Sequence, residues 1–69
     1  MERGTIRKIV ADKGFGFIER LSPGADVFFH RSVLDADLEW CEQLTARRVK
    51  FEAIRTDRGD KAVVVQPVD

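Results

Sequence analysis

The sequence predicts an all-β fold: five short strands joined by tight turns and closed into a small antiparallel barrel. Three observations carry this. Residues of high strand propensity, β-branched and aromatic, gather in short runs. Turn-forming residues separate most of those runs. The chain of 69 residues makes one small domain, and a core of that size rarely contributes more than roughly 3–5 kcal/mol net. A closed sheet, which leaves no exposed edge, meets that limit.

The elements follow in order. Thr5-Ile6-Arg7-Lys8-Ile9-Val10 is dense in β-branched residues and reads as the first strand. Ala11-Asp12-Lys13-Gly14 is a turn, and Phe15 to Arg20 is the second strand. Ser22-Pro23-Gly24 breaks the chain before the third, Asp26-Val27-Phe28-Phe29-His30. Arg48 to Ile54 alternates with period two, Asp57-Arg58-Gly59-Asp60 turns, and Lys61 to Gln66 is the fifth strand. Between the third and fourth, Leu34, Leu38 and Cys41 recur at helical spacing, as do Trp40 and Leu44. With Ser32 and Asp35 as a weak capping pair, this predicts a turn of helix after Ser32 and a short helix around 36–43. Their apolar residues, Trp40 among them, would close one end of the barrel, with Cys41 as a small buried hydrophobe.

Alternation then sorts the side chains. Ile18, Val27 and Phe29, with Ile6, Val49 and Phe51, form a sensible interior. Phe15, Phe17, Phe28 and His30 are left pointing outward, and three Phe on one surface indicate a binding surface. Single-stranded nucleic acid suits such a face, because bases stack on rings while Lys and Arg meet phosphates. Gly14 and Gly16 fit, since a side chain there would crowd the bend and the interior.

Composition narrows the classes. Apolar residues at 43% and charged residues at 35% are folded-chain proportions, which excludes a disordered tail. The longest apolar run, Ala62 to Val65, is too short to cross a bilayer, and Met1 to Thr5 lacks the apolar start of a secretory signal. Cys41 is alone, so neither a disulfide nor a cysteine metal site is expected. The expectation is a reduced, cytoplasmic, monomeric module over residues 1–69, without cofactor, metal or membrane partner. Net charge is zero, which argues against a nonspecific polycation. Residues 35–45 hold four acidic residues and no basic one, so the flanks on either side are each mildly basic. Catalysis is rejected: there is one His, no motif suggests an activated Ser or Cys, and Gly14-x-Gly16 does not continue into a dinucleotide fingerprint.

Lys13-Gly14-Phe15-Gly16-Phe17-Ile18 followed by Asp26-Val27-Phe28-Phe29-His30-Arg31-Ser32 resembles the two ribonucleoprotein motifs of the cold-shock domain family. Lys13 to Phe17 meet the first five positions of the general first motif, Ile18 replaces Val, and Arg20 stands where an aromatic is usual. The likeness covers nearly the whole chain, including Gly4, the turn Ala11 to Lys13, Val49-Lys50-Phe51, and Gly59 to Val65. In that last stretch Asp60 and Val64 replace the family's Pro and Asn. The resemblance implies a five-stranded OB-type barrel that binds single-stranded RNA or DNA with low sequence preference. Family members commonly act as RNA chaperones or antiterminators.

The departures fall on the binding surface. Arg7-Lys8-Ile9-Val10 stands where the family carries Lys-Trp-Phe-Asn, so Lys8 replaces a stacking Trp. Arg31 replaces an aromatic after the second-motif His, and it keeps a stackable guanidinium. The expected contact set is Lys8, Lys13, Phe15, Phe17, Phe28, His30, Arg31, Arg58 and Lys61. Its binding should be weaker and more salt-dependent than is usual in the family. A second reading uses the same Phe patch as an apolar docking surface for a protein.

Overall fold

Five strands make up the fold: β1 (Glu2–Val10), β2 (Phe15–Arg20), β3 (Val27–His30), β4 (Arg48–Thr56) and β5 (Gly59–Pro67). They come from a computed structural model that describes residues 1–68. The strands close into a barrel in the order β1-β2-β3-β5-β4. β1 is long enough to serve two neighbours, pairing β4 through Glu2 to Thr5 and β2 through Gly4 to Val10. The antiparallel expectation holds at every seam except β3–β5, which is parallel at Phe28↔Lys61. A closed ring with an odd number of strands cannot alternate direction throughout, so one parallel seam is required. A parallel bridge between Leu34 and Val65 extends that seam.

The interior follows from alternation. Ile6, Ile18, Val27, Phe29, Val49 and Phe51 are all fully buried, joined by Ala62, Val65, Leu38 and Leu44. Each of the larger side chains contributes roughly 1.5–3 kcal/mol by leaving water. An added Cβ on Gly16 would stand 2.5 Å from the Lys8 carbonyl oxygen and 3.0 Å from the Phe29 ring, so only glycine lets β1 and the core close over β2.

The segment between β3 and β4 bears out the helical turn and corrects the short helix expected around 36–43. It holds two single 3-10 turns, Arg31–Val33 and Glu42–Leu44, and no helix over 36–43. The first turn is capped by His30, whose Nδ1 accepts the Ser32 N–H at 3.1 Å, so the Ser32–Asp35 pair does not cap it. The Asp35 carboxylate accepts the Asp37 N–H at 2.9 Å, a local turn that competes with a helix. Leu38 and Leu44 still plug the barrel end, and Trp40 meets Phe29 edge-on at 6.1 Å. Cys41 is half-buried at the start of the second turn, outside the core proper.

Candidate functional site

The site is built by register. Between Ile6↔Ile18 and Lys8↔Phe17 the β1–β2 pairing slips, leaving Arg7 as an extra residue in a bulge. Strict alternation from the buried Ile6 would turn Lys8 inward; the bulge turns it out, opposite Phe17. Phe17 lies opposite Phe28, and Phe28 opposite Lys61. Directly paired residues share a face, so Lys8, Phe17, Phe28 and Lys61 form one rung across four strands. Val10, Phe15 and His30 form the next.

The three rings touch one another. Centroids are 5.5 Å apart for Phe15–Phe28 and 5.9 Å for both Phe15–Phe17 and Phe17–Phe28, the latter two edge-to-face. This mutual contact leaves each outward-pointing Phe half-buried, while His30 is exposed. The His30 ring is held through Nδ1, which lies 2.9 Å from Ser32 Oγ besides accepting the Ser32 N–H, so Nε2 remains available.

Gly14 has φ of +78°, a left-handed conformation that suits glycine, and it ends the turn that carries the exposed Lys13. Its carbonyl accepts the Arg31 N–H at 2.8 Å. Arg31 Cδ lies 3.4 Å from where a Gly14 Cβ would stand, so the arginine side chain crosses this turn beside His30. On the other flank, Phe17, Phe28, Thr56, Asp57, Arg58, Gly59, Asp60 and Lys61 enclose an open cleft of about 510 Å³. The hairpin tip that carries Arg58 is set by Thr56, whose hydroxyl donates to the Gly59 carbonyl at 2.6 Å.

Charge is divided in a useful way. Arg7 pairs with Glu19 at 3.3 Å and Asp26 at 3.8 Å, and Arg20 pairs with Asp60 at 2.7 Å and donates from Nη2 to the Glu2 carboxylate at 3.4 Å. Lys8, Lys13, Arg31, Arg58 and Lys61 form no ion pair with any described carboxylate. All nine side chains singled out from the sequence therefore lie on or beside one face: three Phe and one His, with five cations around them that pair with no described carboxylate.

Sequence reasoning missed Val10, Thr56, Asp57 and Asp60. Val10 was signalled by its pairing parity with Phe15. The other three were signalled by sitting in the same tight hairpin as Arg58. Among the described residues no three metal-ligating side chains converge, and no helix is long and apolar enough to cross a membrane.

Known proteins match almost the whole chain. A family model described as the 'Cold-shock' DNA-binding domain matches residues 2–68. Cold shock protein CspC of Bacillus subtilis is 41% identical over 66 residues, covering 96% of this chain and 97% of its own length. Cold shock-like protein CspD of Haemophilus influenzae is 34% identical over 68 residues, covering 99% of this chain and 93% of its own length. Among solved structures, Drosophila Unr CSD456 superposes with a TM-score of 0.78 at 26% identity; the match spans 99% of this chain and 26% of that longer one.

Proposed function

The chain belongs to the cold-shock domain family of nucleic-acid-binding proteins, and from that premise we propose that it binds single-stranded RNA or DNA across the β1–β2–β3 face. It does so as a cytoplasmic monomer, one domain over residues 1–69, without cofactor, metal or catalytic step. Its role is that of an RNA chaperone or a regulator of transcription or translation.

The observation that supports this best is the rung Lys8–Phe17–Phe28–Lys61, two touching rings between two unpaired ammonium groups. Bases stack on Phe17 and Phe28, and along the next rung on Phe15 and His30. Each stacked base contributes about 1–3 kcal/mol. Because every base has a π-face, such stacking is tolerant of sequence. Lys8, Lys13, Arg31, Arg58 and Lys61 meet the phosphates. If three to five of them do so, log K falls against log salt with a slope of roughly −2 to −3.5. A protein that holds bases on its own rings withholds them from pairing, which is the physical content of chaperoning a strand.

Lys8 at the position of a family Trp removes one stacking platform and adds one charge, so binding here is weaker and steeper in salt than with the ring present. A fluorescence titration with oligo-dT and oligo-U at low salt tests the reading. Binding at micromolar protein that weakens with the stated slope is expected. No binding under those conditions transfers the Phe face to the docking of a protein.

A further inference from the structure

A second basic surface lies on the outer wall where β1 meets β4, beyond the aromatic face. Gly4, Ile6, Val49 and Phe51 are buried, so the alternate residues Arg3, Thr5, Arg48 and Lys50 point outward. The register sets Arg3 directly opposite Lys50, and Thr5 opposite Arg48. Like charges placed directly opposite destabilise a sheet, yet here a third cation stands diagonal to the pair. Of the carboxylates nearest in the fold, Glu19, opposite Thr5, holds Arg7, and Glu2 holds Arg20; Glu52, two residues beyond Lys50 and exposed on the same face of β4, forms no ion pair. None of the described carboxylates forms an ion pair with Arg3, Arg48 or Lys50.

Arg3 and Arg48 wall a shallow groove of about 280 Å³, and Leu21, 75% exposed, adds an apolar side to it. We propose that Arg3, Arg48 and Lys50 form a second, phosphate-binding site that takes the backbone of the single strand as it leaves the aromatic face. One strand joins the two surfaces: outward residues along β1 run Arg3, Thr5, Arg7, which is paired with Glu19 and Asp26, and then, through the bulge, Lys8 of the aromatic rung. Arg48 and Lys50, two residues apart on one strand, project in the same direction about 6.6–6.8 Å apart, a spacing within reach of successive phosphates of an extended strand. The groove has no aromatic side chain, so it reads charge and backbone only. This inference rests on the reading that the aromatic face binds a single strand, and its test separates the two.

The test measures the affinity of tetrathymidylate, which the four stacking side chains use up, and of a 20-nucleotide thymidylate. Both are titrated against the wild type and against the Arg3→Gln, Arg48→Gln, Lys50→Gln triple variant. The tetramer should bind both proteins within about twofold. The 20-mer should bind the variant at least about tenfold more weakly at low salt, with a log–log salt slope smaller in magnitude by about 2, three contacts at about 0.7 each. An unchanged 20-mer affinity and slope overturns the second site. Binding of poly-glutamate to the wild type but not the variant, with the oligonucleotide affinities equal, also overturns it and assigns the groove to an acidic protein. If the wild type binds the 20-mer but not the tetramer, and the variant binds neither, the aromatic reading fails while the basic groove stands. Lys50→Glu guards against a folding artefact. Turning the Arg3–Lys50 repulsion into attraction should raise the melting temperature by about 2–8 °C while weakening the 20-mer. A lowered melting temperature contradicts the repulsion on which the site is argued.

Discussion

Phe28 and Phe29 are neighbours in the chain with opposite surroundings. Phe29 is fully buried against the core and meets Trp40 edge-on; Phe28 stands on the outer wall against the rings of Phe15 and Phe17. The same residue type therefore serves the fold at one position and the surface at the next, and strand parity alone decides which. The outer cluster differs from the inner in one further way. Its rings cover one another, so each is half-buried with no partner present, which reduces the apolar area the patch shows to water.

The comparison breaks most visibly at its inner member. Phe29→Ala should cost about 3–5 kcal/mol, close to the whole stability of a domain this small, and a thermal melt should show it largely unfolded. A mild effect would mean that Phe29 is not the core ring its burial indicates. Gly16→Ala tests the same wall from the backbone side. Its Cβ would press on the Lys8 carbonyl and the Phe29 ring, so denaturant titration should register a loss of about 1–3 kcal/mol.

On the outer face the expected effects move from the fold to the complex. Lys8→Trp adds a ring beside Phe17 and removes one phosphate contact. Oligo-dT affinity should rise by about 1–2 kcal/mol at moderate salt, within the range of one stacked base, and bound strand should quench the new Trp. The log–log salt slope should become shallower by about 0.7. Unchanged affinity with an unquenched Trp at residue 8 would remove β1 from the contact surface. The smallest effect belongs to the rim: Lys61→Gln should lower the slope magnitude by about 0.7 and leave the melting temperature nearly unchanged. An unaltered slope would show that this end of the rung meets no phosphate.

Much of this contrast was legible in the residues, and the remainder was hidden for identifiable reasons. Six interior residues emerge from period-two alternation because the register of β1 to β4 is unbroken over the stretches that carry them. Lys8 is different. Alternation from Ile6 places it inside, and only the resemblance to a known family placed it on the outer face; the physical cause is the bulge at Arg7, which leaves no local signature in side-chain pattern. The parallel β3–β5 seam depends on how many strands close the ring, a global property that no single run of residues carries. The apolar spacing of Leu34, Leu38 and Cys41, and of Trp40 and Leu44, suggests a helix, yet Leu38 and Leu44 reach the barrel end from turns, because the Asp35 side chain bonds the local backbone and helical periodicity cannot distinguish the two. The place of Asp57 and Asp60 in the site is not legible in the sequence, because acidic residues in a turn are ordinarily solvated, and only the closed hairpin brings them beside Phe17 and Phe28.

The central claim is that the outer rings bind a strand while their inner neighbours hold the fold, and Phe28→Ala tests it most directly. Wild type and variant are titrated with labelled hexathymidylate at low salt, and both are melted. The variant should lose about 1–3 kcal/mol of binding free energy, roughly a five- to 150-fold rise in Kd. It should stay folded with a lowered melting temperature, because two ring-to-ring contacts of about 0.5–1.5 kcal/mol each are removed from the fold, less than the loss of a core ring. Equal affinity in a folded variant, or a variant that unfolds with the loss of about 3–5 kcal/mol expected of a core ring, would contradict the account.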